Sequence, residues 1–172
     1  MNKLVLLLVL LLSMSTVAFA DDFGHEGVDV ENPSIEEMLT FALEDEVLAY
    51  STYNEIVEVF DVSKPFTNIM KAELRHQEAI IALMNDYGMD VPEVDASDYI
   101  TLPISLEESY EAGVQAEIDN IALYNTFLKE DIPEDVKDVF EYLIKGSEKH
   151  LSAFEKQLER STRVLGKGRT QR

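Results

Sequence analysis

Two side chains in one short segment have the types and the spacing of metal ligands. In AELRHQEAIIALM, residues 72–84, alanines, isoleucines and leucines recur at helical spacing. Glu73 and His76 stand three residues apart, on one face of the helix that this pattern predicts, and they interrupt its apolar stripe. Three further stripes of this kind contain an acid or a histidine near their middle: Glu46, Glu117 and His150. Carboxylates and imidazoles that converge in this way are typical of a metal site.

A buried group of acids and histidines needs a compensating charge. An isolated carboxylate costs several kcal/mol to bury unless it is paired or bound to a metal ion. Oxygen ligands together with two imidazoles favour iron, manganese or zinc over calcium, and the sequence contains no cysteine that would provide a thiolate. Two alternatives are a polar network without metal, hydrogen-bonded by tyrosines and Asn120, and a helical register that leaves some of these groups in solvent.

The elements that must position these residues are four amphipathic helices. Ser34 with Glu37 and Ser105 with Glu108 predict capping boxes, and Pro65 and Pro133 suit the first turns of the second and fourth helices. In each helix the stripe alternates steps of three and four residues. The four stripes are Leu39, Ala42, Glu46, Ala49, Tyr53, Ile56, Phe60; Phe66, Ile69, Glu73, His76, Ile80, Leu83, Tyr87; Tyr110, Gly113, Glu117, Asn120, Tyr124, Phe127; and Val136, Phe140, Leu143, Ser147, His150, Phe154, Gln157.

The connections and an internal repeat indicate how the helices are arranged. Short connections predict two antiparallel hairpins, and the segment 89–103 is long enough to cross from one hairpin to the other along the bundle. An alignment of the two halves pairs chemically related positions: Glu46 with Glu117, Tyr53 with Tyr124, and His76 with His150. Packing about a pseudo-twofold axis would gather these positions at mid-bundle, where the tyrosines are expected to hydrogen-bond the ligand carboxylates. Asn120 and Ser147 are also expected to lie beside the ligands.

The ends of the chain predict an extracytoplasmic protein. Residues 1–20 contain one lysine, an apolar run too short for a comfortable membrane span, and Ala-Phe-Ala ending at Ala20, which is the pattern of a signal peptide. An uncleaved anchor is the alternative. We expect a flexible lead-in over 21–33, the bundle over 34–160 and a basic disordered tail over 161–172. Cleavage near Ala20 would give a secreted, periplasmic or cell-surface protein without a stable membrane anchor.

The composition excludes some classes of partner. A formal net charge of −20 would repel phosphate backbones, which argues against nucleic acid. The absence of cysteine fits an extracytoplasmic protein that folds without disulfides.

Over residues 34–160 the chain resembles the ferritin-like superfamily. Di-metal members of that superfamily place one glutamate on each of two helices and Glu-x-x-His on each of the other two. The resemblance implies that Glu46, Glu73, His76, Glu117 and His150 bind metal, whereas Ser147 stands where the pattern has a second bridging glutamate. GVQAEIDNIALYN and GSEKHLSAF resemble more closely an uncharacterised bacterial and archaeal ferritin-like family of unknown function.

These observations predict a secreted four-helix bundle that binds one or two iron ions, with manganese or zinc as alternatives. If the protein is an enzyme, the expected class is oxidoreductase, with dioxygen or peroxide as partner at a coordination position that Ser147 leaves open. The alternatives are a non-catalytic metal-buffering module and a metal-free bundle that acts through protein interactions. The missing glutamate also makes a single-metal site a competitor of the di-metal site.

Overall fold

The computed structural model describes residues 23–24 and 31–169, and it describes side chains as far as residue 161. Every regular element in these ranges is helical. The elements are α1 (Ile35–Phe60), α2 (Phe66–Asp86), a short 3-10 helix (Ser97–Tyr99), α3 (Leu106–Phe127) and α4 (Glu134–Arg169). The prediction of an all-α four-helix bundle is confirmed.

The helices begin where the capping residues place them. Ser34 Oγ accepts a hydrogen bond from the backbone N–H of Glu37 (3.2 Å), and the Glu37 carboxylate accepts one from the N–H of Ser34 (2.7 Å), which completes the expected capping box. At α3 the box is only half formed. Ser105 Oγ accepts from the N–H of Glu108 (3.2 Å), but the Glu108 carboxylate accepts from the N–H of Ile104 instead.

The helices pack as two antiparallel hairpins, α1 with α2 and α3 with α4, and α1–α3 and α2–α4 contacts join the hairpins. Tyr124 contacts Glu46 and Glu117 contacts Tyr53, so α1 and α3 run antiparallel. Helices α2 and α3 therefore run in the same direction. The connection over residues 87–105 must consequently travel the length of the bundle, as the sequence predicts.

Apolar residues form two clusters, one on each side of the middle of the bundle. The first cluster includes Leu39, Ile80, Tyr124 and Phe140, and the second includes Ile56, Phe66, Tyr110 and Phe154. The ionisable members of the stripes lie between these clusters along every helix. The packing therefore surrounds the acids and histidines with apolar turns on both sides, which lowers the local dielectric response and strengthens each charge–charge contact there.

The predicted stripes are buried apart from their ends. Phe60 and Gln157 are half-buried, and Tyr87 is exposed because it lies just beyond the end of α2, where its hydroxyl donates to Asp135 (2.9 Å).

In α3 one stripe position is a glycine for a steric reason. A Cβ on Gly113 would lie 2.7 Å from the ring of Phe154, so only glycine allows this ring into the core.

The structure differs from the sequence-based boundaries at both ends of the bundle. Helix α4 continues to Arg169, through most of the segment predicted to be a disordered tail, and a basic, acid-free composition suits the C-terminal end of a helix. In the lead-in, Phe23 stacks on Tyr99 (ring centroids 4.0 Å apart), and the N–H of Gly24 donates to Glu44 (3.1 Å). At these two residues, stacking and hydrogen bonding replace the predicted flexibility.

The predicted signal peptide, residues 21–22 and 25–30 of the lead-in, and residues 170–172 of the tail lie outside the described residues. No helix in the part of the chain that the structure describes is long and apolar enough to cross a membrane.

Candidate metal centre

The structure brings all five predicted ligands together at mid-bundle. Each helix contributes: α1 supplies Glu46, α2 supplies Glu73 and His76, α3 supplies Glu117, and α4 supplies His150. No member is more than 6% exposed. We call these five residues the acid–histidine centre. Its position follows from the stripes, because the same three-four alternation that buries the apolar residues also points these side chains inward.

Glu73 divides the centre into two overlapping groups of three. The first triad is Glu46, Glu73 and His76, and the second triad is Glu73, Glu117 and His150. Within each triad, one nitrogen or oxygen atom per residue lies within 4.8 Å of the others, a separation that one metal ion can span. Glu73 faces the first triad with Oε2 and the second with Oε1. Its carboxylate therefore lies between the two groups, as a bridging ligand must.

The two imidazoles contact the carboxylates through Nδ1 but with different geometry. Nδ1 of His76 lies 3.0 Å from Glu46 Oε2 and 3.0 Å from Glu73 Oε2, so its single N–H forms a bifurcated hydrogen bond with the two carboxylates. Nδ1 of His150 lies 3.1 Å from Glu73 Oε1 and 3.5 Å from Glu117 Oε1. Neither of the latter contacts has hydrogen-bond geometry, and among the described residues Nδ1 of His150 and Oε2 of Glu117 have no hydrogen-bond partner.

The two predicted tyrosines bind the carboxylates across the hairpins. Tyr53 on α1 donates to Glu117 Oε1 on α3 (3.0 Å), and Tyr124 on α3 donates to Glu46 Oε1 on α1 (2.8 Å). Burial, followed by the charge of the carboxylate that each one contacts, raises the pKa of both phenols well above 10. Both hydroxyls therefore remain protonated at neutral pH and orient Glu46 and Glu117 as hydrogen-bond donors.

Burial and mutual contact perturb the protonation of the whole centre. Burial lowers the pKa of both histidines, but close contacts with the carboxylates outweigh it and raise the pKa of His76 to about 10 and that of His150 to about 9. Burial raises the pKa of Glu73, but its contacts with the two histidines lower it to about 2. Burial also raises the pKa of Glu46 well above 4.5 and raises that of Glu117.

Helix α4 presents Ser147 to the core and does not replace the missing glutamate. Ser147 is 1% exposed, on the same face as His150, whereas the adjacent Glu148 is exposed and α4 remains a regular α-helix through this region. Glu148 therefore does not turn inward, and glutamate and histidine side chains in the centre number five in the described part of the chain.

Sequence reasoning missed a further buried acid, which lies beside the centre. Asp45 is 4% exposed, and the Asn120 amide donates to its carboxylate and to the carbonyl of Ala116 (3.0 Å). Asn120, which the sequence predicts beside the metal ligands, thus hydrogen-bonds Asp45. The neighbouring Glu44 is half-buried, and burial raises its pKa. The only sequence signal was the run of three acids at 44–46.

Gly146 creates the space that His76 occupies. A Cβ at this position would overlap Cε1 and Nε2 of the His76 imidazole. On its opposite edge the ring is held by Glu46 and Glu73, and the exposed Tyr142 packs edge-on against it (ring centroids 5.2 Å apart). The ring therefore cannot move aside without losing hydrogen bonds. Sequence patterns alone do not reveal this role, because Gly146 is on another helix.

We expect Gly146→Ala to displace His76 and to destabilise the protein. Alanine would normally stabilise a helix by up to about 1 kcal/mol relative to glycine, but the overlap should cost about 1–3 kcal/mol and reverse the sign. Chemical denaturation would measure the free energy of unfolding, with Lys149→Ala, exposed on the same helix, as the matched control. An increase in stability for Gly146→Ala would show that His76 does not need this space.

The fold and the centre define a class of protein: a four-helix bundle with a buried acid–histidine centre capable of holding metal. The chain belongs to the family described as "Uncharacterized protein domain (DUF2202)", which matches residues 35–166. This match confirms the prediction of a family of unknown function.

The chain is also similar to one curated protein and to one solved structure. The chain is 29% identical over 130 residues to the uncharacterized protein MJ0754 of Methanocaldococcus jannaschii, covering 67% of this chain and 70% of the relative. It also resembles the crystal structure of the hypothetical protein MJ0754 from Methanococcus jannaschii, with a TM-score of 0.67 and 25% identity, over 77% of this chain and 85% of the other. The structural similarity supports the helical fold.

Proposed function

We propose that this protein is a ferritin-like metal-binding protein that holds one or two iron or manganese ions, or zinc, in the acid–histidine centre. The observation that carries the proposal is the position of Glu73, whose two oxygens face two different glutamate–histidine pairs. Each triad offers two carboxylates, which are hard ligands, and one imidazole, which is a borderline ligand. This combination suits ferrous iron and manganese. Burial then supplies the low dielectric in which such ligands hold a cation firmly.

A redox reaction is the finer form of this proposal. Bound ferrous iron would supply the electrons for such a reaction: one electron from each of two ions, with two protons, would reduce a peroxide molecule to two water molecules. Oxidation of ferrous iron by dioxygen is the related reaction. The residues of the chain would hold the ions close together through Glu73. Tyr53 and Tyr124 would keep Glu117 and Glu46 oriented, and the small side chain of Ser147 would leave room for the oxidant.

One observation favours a second candidate, a bundle that needs no metal. The first triad satisfies its own ligand atoms, since Nδ1 of His76 bonds Glu46 and Glu73 at 3.0 Å each. Two protonated imidazoles also offset most of the charge of three carboxylates. The unpaired atoms of Glu117 and His150 argue the other way, because a buried polar atom without a partner is destabilising unless something binds it.

The test is to purify the mature chain, measure bound metal by elemental analysis, and then add ferrous iron under air while following near-ultraviolet absorbance. Stoichiometric metal with rapid oxidation supports the redox form. Bound metal without oxidation supports a metal-buffering module, and no bound metal supports the metal-free bundle. The predicted signal peptide is tested separately, by sequencing the N-terminus of the protein recovered from its native cells, where cleavage near Ala20 is expected.

Ser147→Glu should increase the metal stoichiometry or the affinity, because it restores the sixth ligand of a di-metal site on the face that already carries His150. Ser147→Gln is the matched control, since it has the same size but lacks the anionic carboxylate. Competition with a chelator would measure both variants. Equal affinities for the two variants and the natural protein would mean that position 147 does not face the metal.

A further inference from the structure

The two triads have the same composition but unequal hydrogen bonding. In the first triad, Glu46 Oε2 and Glu73 Oε2 both bond His76 Nδ1, and Glu46 Oε1 accepts from Tyr124 (2.8 Å). A cation that enters this triad must displace the hydrogen bonding of His76 Nδ1, whose single N–H is shared between two buried carboxylates. Hydrogen bonds to charged groups are among the strongest in proteins.

The second triad contains two ligand atoms that make no hydrogen bond with any described residue, and the nearest carboxylate oxygen to His150 Nδ1 is Glu73 Oε1, at 3.1 Å. Glu117 and His150 are 1% and 6% exposed, yet among the described residues Glu117 Oε2 and His150 Nδ1 lack a hydrogen-bond partner. Buried polar atoms are almost always bonded, so two such atoms in one triad call for a ligand. A cation there would contact both atoms without breaking a hydrogen bond that either one makes.

From this asymmetry we propose that the two triads are unequal metal sites and that the second triad binds the first divalent cation. This inference rests on the proposed metal-binding function and adds an order of loading. The first triad fills only when the cation concentration is high enough to compete with the bonds of His76. We expect its affinity for a divalent cation to be lower by about tenfold or more.

The matched variants for the test are Glu117→Gln and Glu46→Gln. Each removes one carboxylate charge from one triad, leaves Glu73 intact, and keeps an oxygen that can accept the hydrogen bond from its own tyrosine. The probe is Co²⁺, whose visible absorption reports its ligands, and circular dichroism confirms that each variant is folded. If a glutamine variant does not fold, His150→Asn and His76→Asn make the same comparison through the imidazoles.

The expected result is that Glu117→Gln removes the tighter Co²⁺ binding step, while Glu46→Gln retains it within about threefold. Loss of the tighter step in Glu46→Gln, or equal weakening in both variants, would overturn the order of loading but not metal binding itself. If the natural protein binds no Co²⁺, the proposed function fails together with this inference. If it binds only one ion, the same variants still identify the triad that holds it.

Discussion

Replacement of Glu73 by glutamine should weaken metal binding at both triads at once, by more than about 100-fold. Glu73 is the only member that faces both triads, and its two oxygens lie 3.0 Å from His76 Nδ1 and 3.1 Å from His150 Nδ1. The amide has the same shape but no charge, so each cation loses an anionic ligand. Elemental analysis and a chelator competition would measure the loss.

The same substitution should also destabilise the metal-free protein, by about 3 kcal/mol, because it removes the buried counter-charge of two histidines. Glu78→Gln is the matched control, since Glu78 is exposed on the same helix. If Glu73→Gln binds metal as tightly as the natural protein does, Glu73 does not bridge two metal ions. If the natural protein holds no metal and Glu73→Ala leaves its stability unchanged, no functional centre exists at this place.

Metal affinity should rise by about tenfold per pH unit for each ion between pH 6 and 8. In the metal-free protein, contacts with the carboxylates raise the pKa of His76 to about 10 and that of His150 to about 9, so both imidazoles are protonated in this range. Only a neutral imidazole binds a metal ion, so each ion must displace about one proton. A higher pH removes the competing proton and strengthens binding, and acid releases the metal.

Calorimetric titration with Co²⁺ in two buffers of different ionisation enthalpy would count the protons released per ion. The control is the circular dichroism of the metal-free protein, which should not change over this pH range. Affinity that is independent of pH, with no proton release, would show that the histidines are neutral before the metal binds or that they are not ligands.

The sequence predicts the fold and the meeting of the five side chains because both follow from the same helical periodicity. All five side chains occupy positions that the three-four alternation must bury once the apolar residues are buried. The cost of burying several charges then predicts that they meet rather than remain isolated. The capping residues fix the helix starts by equally local rules.

What the sequence could not predict depends on how one helix is placed against another. The role of Gly146 is invisible until α4 approaches His76, and the bond of Asn120 to Asp45 requires the relative rotation of α1 and α3. The lack of periodicity predicts a flexible lead-in, yet the stacking of Phe23 on Tyr99 does not depend on periodicity. The two triads also differ in the hydrogen-bond geometry at the histidine Nδ1 atoms, which a sequence pattern cannot predict.

The crossed tyrosines have a kinetic consequence. Tyr53 and Tyr124 each join one hairpin to a carboxylate of the other, so both bonds span the same contact between α1 and α3. A separation of the hairpins would break both bonds in one event and would pull Glu46 away from Glu117. Release of a cation from the proposed metal site would thus be coupled to an opening of the whole bundle, and the residence time of the cation would depend on how rarely the bundle opens rather than on the strength of any one ligand bond.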